Sequence, residues 1–302
     1  MNFLFPEQPA PYLDQLEAVV QSAVGSAIPR NWNEDFITRT WITALLEFFQ
    51  TRSPLPAMPR PFGVSIDAFK ASGRLEVDHG DVAFLVRLNF PDGGSTEGVG
   101  LLEAKRSDGD TQRFPAFRRD QLEVHLAHST CHKTLLYDTR IHRPEFPVLQ
   151  VSQLRSRAVR PVIDVFGQDS EMLRHYGSCK ATTLPTPHVL AVNNFSAILH
   201  RYSIPLSYQI GARYLNGLDL DYSPVLVEKV KQGPNTTLWN GINYVVVAEV
   251  SMSPGLQPDP PRPTLRPQGY QPLELPRRKR VSPDVKRRDD DENTGMALGA
   301  GM

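Results

Sequence analysis

Asp81, Glu103 and Lys105 are the residues whose types and spacing can carry chemistry. Asp81 opens the apolar run Gly80–Arg87, and Glu103 and Lys105 close the apolar run Gly98–Arg106. Each run has the length and β-branched content of a buried strand. Side chains alternate along a strand, so Glu103 and Lys105 share one face, roughly 7 Å apart along the chain, while Leu102 and Ala104 face the other way and can pack. A carboxylate and an ammonium at the end of an apolar strand need a partner or a metal, because isolated buried charges are costly. If the two strands pair as a hairpin, Asp81 joins the same edge. Two carboxylates and a lysine then surround one point, a set that suits a hard cation such as Mg²⁺ beside an attacked phosphate. The plain alternative is a structural ion pair on an ordinary sheet. The similar string Glu228–Lys231 in the same chain shows how readily such a pattern arises.

The elements that must position these residues flank them. Pro91–Glu97 is a polar, glycine-rich turn between the two runs and supports the hairpin. A helix is expected from Asn33 to Phe49, with Asn33 as its cap and Phe36, Ile37, Trp41, Leu45, Phe48 and Phe49 as a broad apolar face. Glu34 lies in its first turn, where a capping acid and a catalytic one are equally well accommodated. A second helix is expected from Arg118 to His125. Before both, Tyr12–Ile28 has helical spacing, with Pro11 suited to a first turn and Pro29 ending it.

With Asp81 followed twenty-two positions later by Glu103-Ala104-Lys105, the chain resembles the PD-(D/E)xK nuclease superfamily over about residues 30–140. Gly80 stands where the family name has Pro. The resemblance implies a restriction-endonuclease-like α/β fold, a mixed β-sheet flanked by helices. It implies that Asp81 and Glu103 hold Mg²⁺, or Mn²⁺ in its place, with the carbonyl of Ala104 completing the metal shell. Lys105 would orient the attacking water or offset charge on the phosphate, and Glu34 would be a further metal ligand. Gln121 resembles the helical Gln of the RecB-like branch and would position Lys105 or the phosphate; that branch has Tyr four positions on, where this chain has His125. The substrate implied is DNA, with RNA an open alternative.

Composition bounds these readings. The 302 residues carry 33 Lys plus Arg against 33 Asp plus Glu, so binding of nucleic acid needs local basic patches rather than a basic average. Arg113, Arg118 and Arg119, around the start of the second helix, are candidates for backbone phosphate contacts, and a solvated helix end is the alternative. Two cysteines, Cys131 and Cys179, make no disulfide framework. No apolar run is long enough to span a bilayer and no secretion signal opens the chain, so a cytoplasmic setting is expected. Neither GxxxxGK[ST] nor GxGxxG occurs, which removes support for a nucleotide-driven motor or a dinucleotide enzyme.

Four regions are expected: an N-terminal helix (1–30), the nuclease-like core (31–145), a β-rich continuation (146–252) that would recognise a target or dock a partner, and a disordered tail (253–302). Ser53–Pro61, with four prolines, reads as a loop. Residues 64–77 suggest a short helix around Phe69 and a strand near Leu75, and His79 has at most a minor role. His125, His128, Cys131 and His132 can seat zinc by spacing, but a helix end with polar histidines is the preferred reading. Strands are expected at Leu135–Tyr137, Val148–Val151, Val189–Val192, Leu206–Ile210, Pro224–Val227 and Tyr244–Val250. Arg155, Arg157 and Arg160 form a basic stripe, and Asp219 and Asp221 read as a turn or cap. Eight prolines between Pro254 and Pro276, then Arg277–Arg280 and Asp289–Glu292, mark the tail. Besides an endonuclease, two readings stand: an inactive or partner-dependent assembly subunit, and a nuclease subunit of a bacterial defence or mobile-element system. A homodimer would suit double-strand cutting.

Overall fold

Pro11 and Asn33 start the two helices that cover one face of the sheet. The computed structural model describes residues 11–51, 63–71, 80–109, 111, 113–115, 117–142, 179–192, 195–233, 242–251 and 262–274. Helix α1 (Pro11–Ser26) buries Leu13, Leu16, Val20, Ala23 and Val24, the three-and-four spacing of an amphipathic helix. Helix α2 (Glu34–Thr51) is capped by Asn33, whose Oδ1 accepts from the Phe36 amide at 2.9 Å. Its Ile37, Trp41, Ile42, Leu45 and Leu46 are fully buried. Burial of each such side chain is worth about 1.5–3 kcal/mol, far more than the cap.

The strands are β1 (Gly63–Ala71), β2 (Val82–Asn89), β3 (Ser95–Arg106), β4 (Lys133–His142), β5 (Cys179–Pro185), β6 (Ile204–Pro205), β7 (Tyr244–Ser251) and β8 (Tyr270–Pro272). They form one eight-stranded mixed sheet in the order β6-β5-β4-β3-β2-β7-β1-β8. β2 pairs with β7, and β3 with β4, in parallel; the other pairs are antiparallel. Helices α1 and α2 and the helical segment 206–216 pack on one face around Trp41, Phe84, Tyr137 and Tyr214. On the other face, helix α3 (Arg119–His128), helix α4 (Thr186–Ala191) and the 3₁₀ helix Ala197–Tyr202 pack Leu122, Val189 and Leu199 with Leu136 and Leu184 of the sheet. Helix α5 (Pro224–Gln232) covers Leu85, Val99, Leu101 and Val247. The central strands are buried on both faces, as their uninterrupted apolar runs require.

Several elements differ from what the sequence leads one to expect. Residues 189–192, 206–210 and 224–227, read as strands, are mostly helical. Short apolar runs do not distinguish a strand from a buried helix by periodicity, and Pro187 and Pro224 occupy helix first turns. Among the described residues the β-rich continuation therefore holds more helical elements than strands, and its longest strand, β7, lies inside the sheet between β2 and β1. Phe69 lies on strand β1 rather than in a helix. Part of the expected tail is ordered: Tyr270 and Leu273 are buried, and β8 pairs with β1 at the sheet's edge. Ser53–Pro61, Leu75, His79, Val148–Val151, Arg155, Arg157, Arg160 and residues 275–302 lie outside the described residues.

Candidate functional site

The β2–β3 hairpin forms, closed by Pro91–Gly94, with Gly93 at φ +82°. Its register pairs Val82 with Leu102, which brings Asp81 beside Glu103. The Asp81 amide donates to the Leu102 carbonyl at 2.8 Å, and its Oδ2 accepts from the Ala104 amide at 2.8 Å. On the other side, Tyr244 donates its amide to the Asp81 carbonyl at 3.0 Å and Asn243 Nδ2 donates to Asp81 Oδ1 at 3.3 Å. Asp81 is thus held by two neighbouring strands at once. The amide and carbonyl of one residue in a strand point to the same side. The Ala104 amide reaches Asp81, so the Ala104 carbonyl opens toward the same edge.

Gly80 sets the turn into Asp81. Its φ is +109°, which Pro cannot adopt, and a Cβ there would lie 2.9 Å from the Leu102 carbonyl oxygen. The turn into Asp81 needs glycine for its angle and for its lack of a side chain.

Glu103 and Lys105 are 3 % and 6 % exposed. Lys105 Nζ donates to Glu103 Oε1 at 2.5 Å, and Gln121 Nε2 on the first turn of α3 donates to the same oxygen at 3.1 Å. His125, one turn further along α3, sets Nδ1 4.0 Å from Glu103 Oε2. Glu34 enters from α2 and accepts the Arg106 amide at 3.0 Å, while its neighbour Asp35 binds Lys70 Nζ at 3.0 Å and the Tyr244 hydroxyl at 2.7 Å. Beneath the site, the Tyr137 hydroxyl meets Thr38 Oγ1 at 2.8 Å and Trp41 Nε1 at 2.6 Å, fastening α2 to β4.

Three carboxylates around one ammonium leave an excess of negative charge. Burial, with the charge of Asp81 beside it, pushes Glu103 up to about 8. Burial pushes Asp81 up to about 6 against the pull of Lys105. Lys105 is held above its ordinary value by Glu103, Glu34 and Asp81 despite its burial. The cluster retains protons in the neutral range unless further positive charge arrives.

A hard cation fits this donor set. Among the described residues no three His, Cys, Asp or Glu side chains come together as a metal cage, so the protein's share would be two carboxylates and the Ala104 carbonyl. That is the sparse set Mg²⁺ accepts, because it keeps several waters and takes ligands from phosphate. The zinc grouping does not form. His125 and His132 are fully buried with rings 4.7 Å apart, and His132 Nδ1 shares a hydrogen bond with Thr186 Oγ1 at 2.8 Å. They are core histidines rather than polar ones at a helix end.

Asp81, Glu103, Ala104, Lys105, Gln121 and Glu34 all meet at this edge. The three arginines do not converge on it as closely. Arg118 is 70 % exposed, 4.0 Å from Asp120; Arg119 donates to the Leu190 carbonyl at 2.9 Å and lies 3.6 Å from Glu123. Arg113 is exposed and bridges Ser196 through its backbone. Sequence reasoning missed Asn243 and the place of His125 beside Glu103. Asn243 is 162 positions from Asp81 and carries no local signal. Protein-family models, curated proteins and solved structures were compared with the chain, and none matches.

Proposed function

We propose that the chain is a Mg²⁺-dependent endonuclease that hydrolyses phosphodiester bonds in DNA, on a restriction-endonuclease-like sheet. The observation that carries the reading is the meeting of Asp81, Glu103 and Lys105 at the adjoining ends of two central strands, with more negative than positive charge. Asp81, Glu103 and the Ala104 carbonyl would hold the ion, with Glu34 acting through a bound water. Bound Mg²⁺ supplies Lewis-acid polarisation of the phosphate and a more acidic water. Lys105 keeps its proton and offers positive charge to the oxygens that gain negative charge during attack. Gln121 holds Glu103 from the helix side, with His125 4.0 Å from its other oxygen, and Asn243, just before β7, holds Asp81. The arginines near α3 provide backbone phosphate contacts outside the reacting centre. Glu34 would act through its other carboxylate oxygen, since Oε1 accepts from the Arg106 amide.

The test is cleavage of supercoiled, linear and single-stranded DNA and of RNA with Mg²⁺, Mn²⁺ or EDTA. Metal-dependent cutting that Lys105→Ala abolishes is the expected result. A folded protein that cuts nothing, or a variant that cuts like wild type, removes the reading.

A further inference from the structure

We infer that Lys105 has two partners on its own strand: it rests on Glu103, and it moves to the Ser107 hydroxyl when a divalent cation takes Glu103. This rests on the metal-dependent reading above. Glu103 Oε1 accepts from Lys105 Nζ at 2.5 Å and from Gln121 Nε2 at 3.1 Å. A carboxylate oxygen has two lone-pair sites, so this one has none left for a cation. The other oxygen lies 4.0 Å from Nδ1 of the fully buried His125, a gap too narrow for an ion and its waters. One donor must therefore leave Oε1 before an ion binds there. Gln121 is neutral, whereas Lys105 is an ammonium that a second cation at the same oxygen repels. Lys105 is the donor that leaves.

The released ammonium needs an acceptor, because Lys105 is buried and a buried charge without a partner is costly. Its own strand provides one. Successive side chains alternate, so Glu103, Lys105 and Ser107 share a face, with the lysine two residues from each. The β3 ladder continues through Ser107, whose amide donates to the Tyr137 carbonyl at 2.8 Å, while its carbonyl accepts from Trp32 Nε1 at 3.0 Å. The backbone there is held twice, which keeps the hydroxyl on the Lys105 face. Ser107 is 0 % exposed, and among the described residues its Oγ has no hydrogen-bond partner. A buried hydroxyl left unpaired destabilises the fold, and a lysine that arrives in a second state gives it a use. The nearby carboxylates are engaged: Asp81 accepts from the Ala104 amide and from Asn243, and Glu34 Oε1 from the Arg106 amide. Same-face neighbours on a strand are about 7 Å apart, a span the four-carbon lysine arm covers in either direction. On Ser107, Lys105 no longer neutralises Glu103, so the acid holds the ion while the ammonium is offered to phosphate.

The experiment is thermal unfolding of the full-length protein, without nucleic acid, as Mg²⁺ is raised at constant ionic strength; the melting temperature then reads ion binding. Mg²⁺ should stabilise the wild type. Ser107→Ala removes only an unpaired hydroxyl, so its melting temperature without Mg²⁺ should equal or exceed that of the wild type. Its Mg²⁺ affinity should fall about tenfold or more, the worth of one hydrogen bond to a charged group. Ser107→Cys keeps a similar volume with a poor acceptor, and gives the same comparison if the alanine variant misfolds. In a Lys105→Met background, Ser107→Ala should leave the Mg²⁺ response unaltered, which a merely structural hydroxyl would not do. A Ser107→Ala protein that binds Mg²⁺ like the wild type overturns the inference, as does an equal loss of affinity in the Lys105→Met background. Mg²⁺ that leaves the wild type unstabilised overturns it together with the metal reading. A Ser107-dependent Mg²⁺ response in a protein that cuts nothing supports the two-position lysine and removes the nuclease reading alone.

Discussion

Among the described residues Lys105 is the one cation in direct contact with Glu103, and removing it has two separable consequences. It takes away the charge offered to the phosphate, for which a loss of about 10²–10³ in cleavage rate is expected. It also leaves Glu103 buried without its partner, a loss of about 3–5 kcal/mol where the site cannot relax. Lys105→Gln keeps a donor near Glu103 and separates the two: single-turnover cleavage should fall while the melting temperature falls less than in Lys105→Ala. The acids make a second prediction. Asp81 and Glu103 bind protons more tightly folded than unfolded, up to about 6 and about 8. The folded state therefore loses stability as pH rises from the ordinary carboxylate range through those values. Melting curves in EDTA should show that decline, and Mg²⁺ should oppose it most strongly near pH 8, because it binds the deprotonated acids. A decline that Mg²⁺ leaves unchanged would count against a metal at this edge.

At the scale of elements, the turn into β2 and the seat of α1 give independent tests. Gly80→Ala forces a side chain at φ +109° and against the Leu102 carbonyl. It should cost about 1–3 kcal/mol or more and lower cleavage by displacing Asp81. Equal stability of this variant in urea unfolding would show that the turn tolerates a side chain. Helix α1 carries Glu17, 5 % exposed, which accepts from Ser207 and from Gln21 at 3.1 Å. Burial pushes it up to about 7. A folded-state value above the unfolded one means this carboxyl favours the fold below about pH 4.5, and that contribution is lost as pH rises through 7. The loss is of order 3 kcal/mol. Glu17→Gln should flatten this part of the stability profile and raise the melting temperature at pH 8, while leaving cleavage unchanged at a fixed pH.

The whole molecule is organised by β7, which comes late in the chain and lies near the middle of the sheet. It pairs with β2 in parallel and with β1 in antiparallel over residues 244–251. A fragment of residues 31–145 contains every residue of the candidate catalytic cluster except Asn243, yet lacks the strand that joins β1 to β2. It also lacks β5, which covers β4. That fragment is expected to show no cooperative thermal transition, whereas a chain ending after residue 274 keeps all eight described strands and should melt like the full protein. A cooperative melt of the 31–145 fragment by circular dichroism would mean that the site region folds without its central strand.

Local signals in the sequence were enough for the hairpin, for the capped helix at Asn33 and for Glu103 and Lys105 on one strand face. Strand alternation, turn residues and caps act over a few positions, so the chain displays them directly. The same logic misread Pro224–Val227, where four apolar residues after a proline suit a strand or a helix first turn equally well. The hairpin argument brought Asp81 to Glu103, whereas the arrival of Glu34 and Gln121 beside them was legible only through resemblance to a family. Asn243 beneath Asp81, His125 beside Glu103 and the insertion of β7 were not legible at all. Those contacts depend on which strand lies beside which, and sheet order is set by packing of the whole apolar surface rather than by any stretch of it. The sequence by itself determined which residues carry charge and on which face of a strand they stand. Only the tertiary structure decided that three carboxylates would share one ammonium in a buried edge, because long-range pairing creates that proximity and the excess charge that comes with it.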